Sequence, residues 1–193
     1  MTQKEIKRCG WVSEEPLYIA YHDTEWGVPV HNDAKLFEFL VLEGMQAGLS
    51  WLTILRKREN FRKALDQFDY HKIANYGKRE VSELLNNGGI IRNRLKIASV
   101  IQNAKAFLEA QKEYGSFDNY IWKFVDNKPL QHNFRSIAEI PARIEISDVL
   151  SKDLKKRGFK FVGSTICYAH MQATGMVNDH TIDCFRYREL FRE

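Results

Sequence analysis

The sequence predicts an all-α protein of eight or more short helices. Apolar residues recur at three- and four-residue spacing along most of the chain. Glycines close these runs where helices stop, and alternating strand patterns are nearly absent. The 193 residues, with 44% hydrophobic content and a net charge of +4, are enough to bury a core and too apolar for disorder. No repeat, low-complexity tract or Pro/Gly-rich linker divides them.

Taken in order, Asp33 can cap a helix with Leu36, Phe37, Leu40 and Val41 as its apolar stripe. A second helix starts at Ser50 and turns Leu52, Ile54 and Leu55 inward, leaving Arg56, Lys57, Arg58 and Glu59 to solvent. Lys78 to Asn86 is a short helix stopped by Gly88-Gly89. The run from Arg92 to Tyr114 is the longest; Leu95, Ala98, Ile101, Ala104 and Leu108 share a face, and Gly115 ends it. Ser136 to Glu139 has capping-box spacing, but Pro141 keeps any helix there very short. Ser147 to Arg157, closed by Gly158, and Gly163 to Thr174, closed by Gly175, complete the set. The first 32 residues lack helical periodicity around Pro16 and Pro29, yet are dense in aromatics, so they are expected to fold over the rest.

The three cysteines, Cys9, Cys167 and Cys184, cannot form a disulfide framework. No apolar run approaches the ~20 residues that span a bilayer, and the start of the chain has no apolar stretch of the secretory type. The expectation is a cytoplasmic protein with no membrane partner. Cys9 and His22 form a C-x12-H pair, and His180 and Cys184 an H-x3-C pair. Two thiolates and two imidazoles make a tetrahedral zinc set, with the second pair on one helical face. Buried cysteines beside hydrogen-bonded histidines are the simpler reading, and spacing alone favours it. Cys167 reads as core.

Lys155-Lys-Arg-Gly-Phe-Lys-Phe-Val-Gly163 is a helix end and a turn before a new helix. Turn amides beside a helix N-terminus suit a phosphate, with Lys155, Lys156, Arg157 and Lys160 around them. An ordinary helix–helix turn with a solvated charged face is the simpler reading of this segment alone. The basic clusters Arg56–Arg58 and Arg92–Lys96 read as helix surface. Glu43 falls on an otherwise apolar helix, next to Gly44 and Gly48 and near Trp51. With Trp11, Tyr18, Tyr21 and Trp26, these residues can wall an aromatic cavity holding one carboxylate. Such a cavity suits a flat, cationic, nitrogen-rich ligand. Each aromatic on its own also suits plain core packing.

Several stretches together resemble the 3-methyladenine DNA glycosylase I family. They are Arg8–Trp11, Pro16–Asp23, Glu25–Pro29, Leu42–Gly44 with Gln46–Trp51, Lys155–Gly163 and Val177–His180. The resemblance implies a helix-hairpin-helix glycosylase fold of two helical lobes. It also implies one structural zinc ion on Cys9, His22, His180 and Cys184, joining the N- and C-terminal segments. It makes residues 1–193 one glycosylase domain: a lobe over about 33–135, and segment 1–32 packed with the hairpin region 147–184. The implied activity is hydrolytic excision of 3-methyladenine from alkylated double-stranded DNA, without lyase chemistry, by a monomer that releases the free base.

By motif position, Glu43 and Tyr21 would bond the flipped base, and Trp51, Trp11, Tyr18 and Trp26 would surround it. Leu49, after Gly48, would fill the gap in the duplex. Lys160, Phe161, Gly163, Ser164 and Thr165 would hold the DNA backbone. Met45 stands where relatives carry a glutamine near the pocket mouth. Thr165 aligns with the superfamily's lysine nucleophile and Asn178 with its catalytic aspartate. Phe185 to Glu193 carry no matching pattern. A non-catalytic DNA-binding module and a helical zinc protein that docks on another protein are the competing classes.

Overall fold

The computed structural model describes residues 6–190. Among them are ten α-helices: α1 Pro16–Thr24, α2 Asp33–Gln46, α3 Trp51–Ala64, α4 Tyr70–Ile73, α5 Lys78–Asn86, α6 Arg94–Tyr114, α7 Phe117–Trp122, α8 Glu145–Lys156, α9 Ser164–Ala173 and α10 Phe185–Glu189. Three 3-10 turns and two two-residue strands, β1 Leu130–Gln131 and β2 Val177–Asn178, complete the order. The strands pair in parallel, Leu130 opposite Val177 and Gln131 opposite Asn178. The all-α expectation holds. Residues 1–5 and 191–193, the ends of the expected 1–193 unit and part of its unmatched tail, lie outside the described residues.

The buried helix α2 packs against α3, α6, α7 and α9. Its stripe sinks Leu36, Phe37, Phe39, Leu40, Val41 and Leu42 into the core, each at most 3% exposed. A helix apolar on nearly every side requires partners on every side, and the chain supplies them. Phe107 of α6 stacks on Phe117 of α7 at 4.0 Å between ring centroids.

Four expectations from the sequence are corrected. The cap of α2 is Asn32, whose side chain accepts the Lys35 N–H. Asp33 instead accepts the N–H groups of Phe117 and Asp118, so its carboxylate caps α7 from a distance in sequence. Pro16 opens helix α1 from its first turn, where a missing N–H costs nothing. Arg58 does not face solvent; it is 7% exposed and donates to Glu38 and Glu25. On α6 the buried face carries Ile97, Val100, Ala104 and Phe107, whereas Leu95 is 71% exposed.

Segment 27–30 is stitched to the end of α9: Gly27 N–H donates to the Gln172 carbonyl and Val30 N–H to that of Thr174, both at 3.0 Å. Gly175 makes this possible. Its φ is +69°, and a Cβ there would lie 2.4 Å from the backbone of Val28 and Pro29.

Candidate active site and metal cluster

A cavity of about 270 Å³ opens between α1, the end of α2, the start of α3 and α9. It is lined by Trp11, Tyr18, Tyr21, Trp26, Glu43, Gln46, Trp51, Ile137, Ile140, Ala169 and Gln172. The aromatics brace one another: Trp11 meets Tyr18 edge-on at 5.1 Å and Trp26 edge-on at 5.0 Å, and Tyr21 lies 5.4 Å from Trp51. Rings held this way present fixed faces and edges to whatever enters.

Glu43 is 3% exposed, and its Oε2 is buried with no hydrogen-bond partner. The indole N–H groups of Trp11 and Trp51 are also buried and unpaired. Burial pushes the Glu43 carboxyl up to about 8. Tyr21 is raised well above its ordinary value, first by burial and then by the charge of Glu43. An ion network behind the wall fixes its frame. Arg58 of α3 holds Glu25, just past α1, at 2.9 Å and Glu38 of α2 at 2.7 Å. Arg62 and Lys35 also reach Glu38.

Next to this wall, Cys9, His22, His180 and Cys184 are all buried, and their ligand atoms lie within 4.8 Å of one another. Cys9 Sγ is 3.4 Å from His180 Nδ1, and Cys184 Sγ is 3.4 Å from His22 Nε2 and 3.5 Å from His180 Nδ1. The outward nitrogens are occupied: His22 Nδ1 meets Asp23 at 2.7 Å and His180 Nε2 meets the Trp26 carbonyl at 3.1 Å. Together the four residues could hold a metal ion.

Helices α8 and α9 pack on each other across the turn that joins them. This turn contains Gly158 and Phe161, the latter at φ 55°. A side chain with positive φ is uncommon and marks a tightly determined turn. Gly163 is the cap position of α9, with open space where a Cβ would stand. The first N–H groups of α9 therefore have no side-chain cap. Lys155, Lys156, Lys160 and Thr165 are exposed, while Phe161, Gly163 and Ser164 are half-buried. Arg157 is not a free surface cation. It bonds Glu113 and Asp153, and its guanidinium lies over Tyr114 and Tyr120.

The model of the family described as methyladenine glycosylase matches residues 11–187. This chain belongs to the methyladenine glycosylase family. It is 52% identical to DNA-3-methyladenine glycosylase 1 of Escherichia coli (strain K12), over 94% of this chain and 97% of that one. A crystal structure of a 3-methyladenine DNA glycosylase I superposes with a TM-score of 0.91 at 54% identity, covering 93% of this chain and 98% of that chain. A structure addressing 3-methyladenine recognition by the Staphylococcus aureus 3-methyladenine DNA glycosylase I superposes with a TM-score of 0.90. It is 32% identical and covers 94% of this chain and 97% of that chain.

For this member of the methyladenine glycosylase family, the structure gathers Glu43, Tyr21, Trp51, Trp11, Tyr18 and Trp26 around one cavity. Leu49 follows Gly48, at φ +79°, and is 41% exposed. Met45 does not line the cavity; it is 2% exposed in the core, and its neighbour Gln46 lines the cavity instead. Asn178 is 2% exposed and committed: its amide donates to Gln131 and to the Tyr187 carbonyl, and its oxygen accepts the His180 N–H.

Sequence reasoning missed Ile137, Ile140, Ala169 and Gln172, which complete the cavity from the far end of the chain. It also missed Asp179, a buried carboxylate that accepts from Tyr168, Gln172 and His132. The H-x-x-x-C signal drew attention to His180 and past its neighbour.

Proposed function

We propose that this chain is a monofunctional DNA-3-methyladenine glycosylase that initiates base excision repair. It takes 3-methyladenine out of alkylated duplex DNA and hydrolyses the bond joining the base to its sugar. One observation carries the reading: Glu43, its Oε2 buried and unpaired, lines a cavity of about 270 Å³ walled by Trp11, Tyr18, Tyr21, Trp26 and Trp51. The relatives' names give the same substrate.

The chemistry follows from the ligand's charge. N3-methylation makes the adenine in DNA cationic, so aromatic faces attract it. Its positive charge favours the ionised form of the Glu43 carboxyl that burial otherwise holds up to about 8, and Glu43 then accepts its N–H bonds while Tyr21 bonds it from the other side. When the C1′–N bond breaks, its electron pair goes to the base, which leaves neutral without protonation. Water adds to C1′ and gives its proton to solvent. Pocket geometry fixes base, sugar and water for that attack. Extrusion is least costly for a damaged base, which adds selectivity. With Thr165 at the superfamily lysine position, no amine stands there to form a Schiff base, so strand cleavage is not expected.

Leu49 would fill the gap left in the duplex. The uncapped start of α9, with Gly163, Ser164, Thr165, Phe161 and Lys160, would hold a backbone phosphate, positioning without reading sequence. The cluster fits zinc. Metal–ligand bonds of ~2.3 Å to sulfur and ~2.0 Å to nitrogen in a tetrahedron put S and N about 3.5 Å apart, close to the 3.4–3.5 Å between the Sγ and ring-nitrogen atoms here. Four protein ligands leave no position for water, so zinc bound there would be structural. It would clasp the segment before α2 to the region after α9 within one domain. Three buried free thiols suit a reducing cytoplasm, and a pocket built within one chain suits a monomer.

Incubation with methylated duplex DNA and chromatography of the released bases tests the proposal. The expected product is 3-methyladenine, with unmodified adenine retained. Release of adenine at the same rate, or of no base, would overturn it.

A further inference from the structure

Lys96 is the third residue of α6 after its Asn93 cap, at a helix end where the dipole disfavours a cation. It is 7% exposed and makes no ion pair among the described residues. Burial holds its ammonium below the ordinary 10.5. Its Nζ donates instead to two carbonyls at the end of α2, Met45 at 2.8 Å and Ala47 at 2.6 Å. The carbonyl between them, that of Gln46, accepts the Leu49 N–H at 2.6 Å. Helix α2 thus ends without a cap of its own. Ala47 turns out at φ −42°, ψ 114°, and a cation from another helix closes the end.

The stretch fixed in this way has pocket residue Glu43 before it, Gln46 within it and Trp51 after it, with Leu49 at its exposed end. A buried lysine without an anion costs stability that an apolar side chain of similar length would not. Its contribution therefore lies in what the tied carbonyls hold in place.

We propose that Lys96 is a positioning residue for base extrusion: it locks the turn of residues 45–49, so that Leu49 enters the duplex in register with the cavity that receives the base. This rests on the reading of Leu49 as the duplex-filling side chain. The tie needs no contact between Lys96 and DNA or base. A loose turn would leave the cavity intact and misplace its tip, and ~1 Å of misplacement can cost about 100-fold in rate.

The test is a double-mutant cycle with Lys96→Met, Leu49→Ala and the pair. Single-turnover excision of 3-methyladenine is measured on duplex and on single-stranded DNA, together with binding of free 3-methyladenine. Lys96→Met is expected to slow duplex excision about tenfold or more, with single-strand excision and free-base binding within about twofold of wild type. On the Leu49→Ala background it should add less than about twofold, because the two residues act through one turn. Full multiplication of the two effects, or equal losses on duplex and single strand, would overturn the proposal. A Leu49→Ala protein with undiminished duplex activity would instead overturn the reading of Leu49. If Lys96→Met does not fold, Lys96→Gln, which keeps an amide donor, is carried through the same cycle and judged by the same outcomes.

Discussion

The cavity and the Cys/His cluster are neighbours with opposite accounts of their polar atoms. Both are buried, and Trp26 belongs to both: its ring lines the cavity and its carbonyl holds His180 Nε2. In the cluster, the outward nitrogen of each histidine has a partner and the inward atoms face one another. In the cavity, Glu43 Oε2 and the indole N–H groups of Trp11 and Trp51 have none. Unpaired buried groups cost about 1–3 kcal/mol each. A fold carrying three of them at one cavity stores that cost where a ligand can recover it.

Breaking the closed side should have the largest effect. Cys184→Ser should abolish stoichiometric metal and lower stability by about 3–5 kcal/mol, or roughly 6–20 °C in Tm. Metal analysis with calorimetry reads both, and full retention of metal would dissolve the contrast. Replacing the carboxyl on the open side comes next. Glu43→Gln should slow single-turnover excision about 100-fold, near 2.7 kcal/mol.

The same substitution has a second signature. Glu43 titrates at about 8 when folded against 4.5 ordinarily, so the folded state binds the extra proton. Its contribution to stability is complete below pH 4.5 and is lost as pH rises through about 8. Urea melts between those limits should show this decline in wild type and not in the glutamine variant.

His170 of α9 is a buried group that belongs to neither region. It is 1% exposed with both ring nitrogens unpaired, and burial lowers it to about 4 from 6.5. Here the sign is reversed: stability present above pH 6.5 is lost as pH falls through about 4. His170→Leu should flatten that acid limb, a change on the order of 2 kcal/mol. An unchanged acid limb would show that His170 is not the group responsible. The smallest effect is expected at Gly163, outside both regions. With open space at its Cβ and ordinary φ, Gly163→Asp should fold normally. It should weaken duplex binding about tenfold, near 1.4 kcal/mol, and leave free-base binding unchanged. Filter binding across a salt series checks it.

What the sequence made legible divides along the same line. Glu43 stood out because a carboxylate inside Phe39-Leu-Val-Leu42 breaks an apolar pattern, and local pattern is what a sequence displays. The bounds of α5 and the end of α6 at Gly115 are legible for the same reason. Residues whose meaning depends on distant partners were not. Arg58 and Lys96 sit in basic runs that resemble solvated faces, and only the positions of Glu38, Glu25 and the α2 carbonyls reveal them as buried struts. The face of α6 was misplaced because a strict three-residue spacing drifts around a 3.6-residue helix. Gln172 and Ile140 gave no signal, since their pocket role exists only once α9 and the loop before α8 close over α1.

Tryptophan fluorescence offers the most direct check of the central idea, because Trp11, Trp26 and Trp51 all line the cavity. Titrating free 3-methyladenine into wild type should give a saturable change that an equal concentration of adenine does not produce, and Glu43→Gln should lose most of that discrimination. Equal responses to the two bases, or a glutamine variant that still tells them apart as wild type does, would contradict it.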